Sequence, residues 1–141
     1  MVNTYDPAPS RADLRTTALL IRTYVVLVLA TLVVLALLSA TDPVQAGSSA
    51  WTHMVIVAVF ATILPLRLRS AAAGNVGGLR AVGIVASVLL LVNVVEALVP
   101  GAFPGWMRVE MVAVAALMAL VVLLVVRIRL RSQASSGGRA R

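Results

Sequence analysis

The sequence has no cysteine and no lysine, one histidine, and only five acidic residues among 141. Without cysteine, disulfide bonds, thiolate metal sites, iron–sulfur clusters and thiol redox chemistry are excluded. The single histidine, His53, also excludes a bis-histidine haem within this chain. Few side chains of the kinds that hold a cofactor are therefore present, and we expect the protein to bind no cofactor.

All twelve basic residues are arginine, and they give a formal net charge of +7. Such an excess can indicate either nucleic acid or anionic lipid as a partner. Here the arginines stand beside long hydrophobic runs and form no separate basic face. This placement favours anionic lipid headgroups and argues against a nucleic-acid partner. The exclusive use of arginine with abundant Ala, Val and Leu is typical of a GC-rich bacterial genome.

Hydrophobic residues make up 61% of the chain, and the mean hydropathy is +1.03, against about 45–50% apolar residues in soluble domains. A bilayer core needs about 20 apolar residues of helix. Four segments qualify, at about 17–40, 49–66, 81–99 and 106–126. These runs are too long for barrel strands of about 9–11 residues and lack their alternation. The sequence predicts an all-α polytopic membrane protein with four transmembrane helices in an antiparallel bundle.

The transmembrane domain is predicted over 17–130, with an N-terminal tail at 1–16 and an Arg, Gly and Ser-rich tail at 131–141. Eleven arginines lie on one side of the four spans and only Arg108 lies on the other. Arginine-rich short loops stay in the cytoplasm, which predicts cytoplasmic termini and a multi-pass plasma-membrane protein. Trp51 and Trp106 fall at the outer boundary and Tyr24 falls near the inner one, as an interfacial aromatic belt requires.

An alternative concerns processing. A basic start, an apolar stretch and Val44-Gln45-Ala46 resemble a signal peptide cleaved after Ala46, although the apolar stretch exceeds the usual 7–15 or so residues.

The Gly-rich inner loop at 70–78 is predicted to be a flexible linker, because no Lys-Ser or Lys-Thr follows it as in a phosphate-binding loop. Gly83 and Ser87 form a small-residue pair that favours close helix packing within the bundle, with dimerisation through this pair as the alternative.

Polar side chains inside the membrane are the default place to look for function. The predicted topology brings five of them to the outer helix ends, namely His53, Asn93, Glu96, Arg108 and Glu110. Glu96 either acts as a proton or cation site or pairs with Arg108 or His53 and fixes the register of two helices. His53, Glu96 and Glu110 supply at most three of the ligands of a zinc site. No catalytic residues are predicted.

Three classes of function remain open. Short loops and polar residues confined to helix ends favour a structural, accessory or regulatory subunit of a membrane complex. The partner is then another membrane protein, whereas a homo-oligomer of this chain directs attention to Glu96 and transport. A small oligomeric transporter or channel is the alternative. In its four short helices the chain resembles small multidrug-resistance exporters, but those place their essential acid in the first helix, which has none here. A membrane enzyme is the least favoured class, since no catalytic constellation is visible.

Overall fold

The computed structural model describes residues 10–137 as a bundle of four α-helices. Helix α1 covers Arg11–Thr41, α2 Ser48–Ala72, α3 Val76–Leu98 and α4 Gly105–Gly137. A short 3-10 helix, Pro43–Ala46, connects α1 to α2. No strand occurs within the described residues. The predicted all-α four-helix bundle is confirmed, whereas the tail residues 1–9 and 138–141, which include Arg139 and Arg141, lie outside the described part.

The helices run beyond the predicted membrane spans at the arginine-bearing ends. Residues 11–16, 67–72, 76–80 and 127–137 are all helical, so helix replaces part of both predicted tails and most of the predicted linker at 70–78. Hydropathy marks where a helix meets lipid, whereas arginine is itself a good helix former and lets the helix continue into water. Ser10 caps α1 by accepting a hydrogen bond from the Asp13 amide at 3.1 Å, which pairs one of the amide groups left without a partner at the start of the helix.

Buried residues recur along the helices at alternating spacings of three and four. In α1 they are Thr17, Ile21, Tyr24, Val28, Thr31 and Leu35. In α4 they are Met107, Glu110, Met111, Val114, Ala115, Met118, Val121, Val125 and Ile128, with two adjacent pairs that widen the stripe. Such heptad-like spacing is typical of helices that pack side by side at shallow angles. Each helix therefore contributes one stripe to a shared core.

Tyr24 belongs to this core, so its predicted place in an interfacial belt is wrong. Its side chain is 0% exposed, and its hydroxyl donates a 2.8 Å hydrogen bond to the Val57 carbonyl of α2. The heptad position turns the ring inward, and the bond satisfies the phenol that a buried tyrosine must pair.

Neighbouring helices run in opposite directions. Near the end of α1, Ser39 accepts a 3.2 Å hydrogen bond from Trp51 Nε1 near the start of α2. The ring of four helices closes where Asp13, at the start of α1, lies 3.9 Å from Arg131, late in α4. Two distinct ends result. We call the end with the start of α1 and the end of α4 the arginine end, and the opposite one the His53 end.

Two glycines allow backbones to approach closely. A Cβ on Gly78 would lie 2.5 Å from the backbone nitrogen of Ala71, at the tight turn between α2 and α3. A Cβ on Gly83 would lie 3.0 Å from Cγ1 of Val125 on α4. Gly83 thus serves packing inside the bundle, as the small-residue pair predicts, while Ser87 is exposed and bonds to the Gly83 carbonyl at 2.8 Å.

The outside of the bundle is apolar on all four helices. Large exposed hydrophobic residues include Leu29, Val33, Val59, Leu91 and Leu123, each more than half exposed. Soluble monomers rarely expose apolar patches larger than a few hundred Å². All four helices are long and apolar enough to cross a membrane. By length and composition this is a small multi-pass membrane protein whose helices contact the lipid bilayer.

Candidate functional site

The titratable side chains of the His53 end lie at one level. His53 and Glu110 each stand five residues after the starts of α2 and α4, about 7.5 Å along the axis at 1.5 Å per residue. Glu96 lies in the last turn of α3, which runs the opposite way. Three helices therefore each bring one of these three side chains to the same end of the bundle, where Arg108 of α4 also lies.

His53 connects the two carboxylates. Its Nδ1 is hydrogen-bonded to Oε2 of Glu96, and its Nε2 lies 3.6 Å from Oε2 of Glu110. The Phe103 ring packs against the imidazole in a T-shaped arrangement, with ring centroids 5.8 Å apart and an angle of 65° between the ring planes. Because the two ring nitrogens point in different directions, one imidazole of α2 reaches both α3 and α4.

The two glutamates differ in their surroundings. The Glu96 side chain is 25% exposed, whereas the side chain of Glu110 is 5% exposed. Neither carboxylate oxygen of Glu110 takes part in a hydrogen bond, so the His53 imidazole at ion-pair distance is its main polar neighbour. Sequence reasoning emphasised Glu96, but Glu110 is the more enclosed acid, since it falls on the core stripe of α4 beside Met107 and Met111.

Asn93 lies on the buried face of α3, one turn before Glu96. Its side chain is 0% exposed, and its Nδ2 donates a 2.8 Å hydrogen bond to the Leu89 carbonyl of the same helix. Its Oδ1 has no partner. The structure thus places Asn93 near the cluster level but joins it to its own helix and not to another member of the cluster.

Arg108 does not pair with Glu96, which corrects one of the two pairings considered from the sequence. Its Nη2 donates a 2.8 Å hydrogen bond to the Val99 carbonyl, and no carboxylate of residues 10–137 lies within ion-pair distance of it. Val99 is the C-cap of α3, where carbonyls lack partners within the helix. The guanidinium therefore ties the start of α4 to the end of α3, and Glu96 pairs with His53.

Several buried polar atoms at this end have no hydrogen-bond partner. They are His53 Nε2, Asn93 Oδ1, Trp106 Nε1, Arg108 Nε and both Glu110 oxygens. Buried polar groups are normally paired, and leaving one unpaired costs about 1–3 kcal/mol. This end of the bundle therefore contains both hydrogen-bond donors and hydrogen-bond acceptors that form no hydrogen bond with a described residue.

The loop between α3 and α4 turns inward. Phe103 and Trp106 are both only partly exposed and pack against the core. The Ala102 carbonyl accepts a 3.2 Å hydrogen bond from Ser49 at the start of α2. The sequence of this loop gives no sign that it folds over His53.

The chemistry open to the cluster is that of one imidazole between two carboxylates, which can exchange a proton or attract a small cation. Among residues 10–137, no group of three or more His, Asp or Glu side chains is placed to hold a metal ion. No known protein family, curated protein or solved structure matches this chain.

Proposed function

We propose that this chain is a structural or accessory subunit of a membrane complex, and that the His53 cluster fixes the arrangement of three of its helices. The observation that carries the proposal is the position of His53 between the carboxylates of Glu96 and Glu110. Such contacts across helices restrict sliding and rotation, because any change of register leaves charged groups unpaired in a medium of low polarity.

The interior of the rest of the bundle supports this function over transport. Away from the cluster, the buried threonines bond to carbonyls of their own helix, Thr17 to Asp13 and Thr31 to Leu27, both at 2.9 Å. The remaining buried side chains between the two ends are apolar, apart from Tyr24, which bonds to Val57. Within the described residues, one copy of the chain thus has no continuous polar path from the His53 end to the arginine end.

The orientation that fits this function places the arginine end, with both termini, in the cytoplasm. Eleven of the twelve arginines lie towards that end in the sequence, and short arginine-rich segments are retained on the cytoplasmic side. The arginine-only, Ala-, Val- and Leu-rich composition favours the plasma membrane of a bacterium. The His53 cluster then lies in the outer half of the bilayer.

Purification tests the accessory role. The full-length tagged chain is extracted from its native membrane in a mild detergent, and the mass and stoichiometry of the particle are measured. We expect a second membrane protein at a fixed ratio, retained after washing at high salt. A particle that contains only copies of this chain would contradict the accessory role and favour the oligomeric alternative.

A small oligomeric transporter or channel is the second candidate, and one observation favours it. Glu110 is buried, its oxygens have no hydrogen-bond partner, and it faces the one imidazole of the chain. A carboxyl group in such a place is a default candidate for binding a proton or cation. Glu96 is the more exposed member of the same site and would connect it to the outer surface.

Proteoliposomes containing the purified chain separate the two functions. Under an imposed pH gradient or Na⁺ gradient, a transporter predicts flux that is lost in both Glu110→Gln and Glu96→Gln. Ser87→Ala, on the exposed face of α3, is a control that should leave any flux unchanged. Flux equal to that of empty liposomes, together with reduced stability of the two glutamine variants, supports the structural function.

A further inference from the structure

A groove opens between α1 and α2 at the arginine end, far from the His53 cluster. Its volume is about 690 Å³, and its walls are the segment from Arg11 to Val26 of α1 and the segment from Pro65 to Ala72 of α2. This volume lies within the roughly 300–1,000 Å³ of typical ligand pockets.

The rim of the groove is basic. Arg11, Arg15, Arg22 and Arg69 all line it, and no acidic residue does. All four arginines are exposed. The acid nearest in sequence, Asp13, is engaged elsewhere, because it accepts a hydrogen bond from the Ser10 hydroxyl at 2.6 Å and lies 3.9 Å from Arg131. The positive charges of the rim are therefore uncompensated by the other lining residues.

The floor of the groove is apolar. Leu14, Ala18, Ile21, Pro65 and Leu68 line it between the arginines. Ala18 is small, so the wall of α1 is hollow between Arg15 and Arg22. A surface that only attracts free anions has no need of an apolar floor, and a surface for neutral lipid has no need of four arginines.

The groove also has the right place and direction in a bilayer. From Arg11 to Val26 it follows α1 for about 22 Å at 1.5 Å per residue, which exceeds the roughly 5–8 Å of one headgroup layer. It therefore runs from the headgroups into the hydrocarbon of one leaflet. Arginine binds phosphate through paired N–H groups, and long basic side chains reach headgroups while their stems cover apolar surface.

We propose that this groove binds one anionic phospholipid, with its phosphate held by arginines of the rim and part of an acyl chain along the apolar floor. Basic pockets between transmembrane helices are a known form of specific lipid recognition. The site goes beyond general contact of arginines with headgroups, because it holds a particular lipid at a particular place. It is independent of whether the chain is an accessory subunit.

Native mass spectrometry of the full-length chain in detergent tests this site, with phosphatidylglycerol and phosphatidylcholine of identical acyl chains as probes. We expect one tightly retained phosphatidylglycerol and weaker phosphatidylcholine binding. The double variant Arg15→Gln/Arg69→Gln should weaken the phosphatidylglycerol affinity by about tenfold or more. Arg127→Gln/Arg129→Gln is the matched control, because it removes the same charge from exposed arginines at the same end but outside the groove.

A second variant separates a groove from a diffuse basic surface. Ala18→Leu keeps every charge but fills part of the floor, and it should lower the phosphatidylglycerol affinity as well. Equal binding of the two lipids would overturn the proposal. So would an equal loss of affinity in the groove variant and the control variant, since that result means that only the net charge matters.

Discussion

At the scale of single residues, His53 has a role that few side chains can fill. Its two ring nitrogens face carboxylates on two other helices, Glu96 and Glu110, and Phe103 packs against its ring. Lysine would offer one flexible point charge, whereas imidazole offers two fixed directions. The histidine therefore connects α2 to α3 and α4 without a long, mobile side chain.

A double-mutant cycle measures this connection. His53→Ala and Glu96→Ala should each destabilise the protein, with a coupling energy of about 1–2 kcal/mol, as expected for a hydrogen bond to a charged group at a partly exposed position. The free energy of unfolding is measured in mixed micelles titrated with SDS. The cycle between Arg108 and Glu96 is the control, and its coupling should be much smaller because Arg108 bonds to Val99. Equal coupling in the two cycles would contradict the observed pairing.

Sequence reasoning could assemble this end of the bundle but not its pairings. The predicted span limits alone bring His53, Glu96, Arg108 and Glu110 to similar depths. Which carboxylate contacts which base depends on how each helix is rotated about its axis. The loop between α3 and α4 brings Arg108 to the Val99 carbonyl. The burial of Glu110 depends on the core stripe of α4, which a uniformly apolar sequence conceals.

At the scale of helices, the difference between core and lipid-facing positions gives a second prediction. Met118 is 0% exposed and Leu120 is 49% exposed on the same helix. Met118→Ala should destabilise the bundle by about 2 kcal/mol, through lost packing, because a lipid-exposed reference state removes most of the transfer term. Leu120→Ala should cost less than about 0.5 kcal/mol. Reversed effects in SDS titration would mean that α4 is rotated relative to the described packing.

The turn between α2 and α3 gives a third prediction. Gly78→Ala places a methyl group 2.5 Å from the Ala71 backbone nitrogen, and backbone cannot yield as a flexible side chain can. We expect a loss of about 1–3 kcal/mol, typical of overpacking. Gly105→Ala is the matched control, since a Cβ there meets nothing within 4 Å. If both variants melt at the same temperature in detergent, the helices are not in close contact at Gly78.

The elements themselves were the most predictable part of the fold. Four long apolar runs permit little besides four helices, because a backbone in lipid must satisfy its own hydrogen bonds. The helix ends were less predictable, since the helical segments 11–16 and 127–137 are outside the apolar runs. The prediction for Tyr24 was wrong because its position fits both an interfacial aromatic and a buried heptad residue. In the structure it occupies the buried heptad position.

At the scale of the whole molecule, the two ends of the bundle differ in chemistry. The His53 end contains the buried Glu110, the partly exposed Glu96 and one arginine, whereas the arginine end carries most of the positive charge and the basic groove. Between them lies a core that is almost entirely apolar. The proposed orientation, the accessory function and the lipid site all depend on this difference between the two ends. All three require the two ends to face opposite sides of a membrane.

Labelling of single cysteines tests that requirement most directly, because the chain has no cysteine of its own. Val44→Cys lies at the His53 end, where Val44 is 88% exposed, and Ala73→Cys lies in the exposed turn at the arginine end. In right-side-out vesicles, a membrane-impermeant maleimide should label Val44→Cys at once and Ala73→Cys only after permeabilisation. Immediate labelling of both variants in sealed vesicles would contradict a bundle that spans the bilayer.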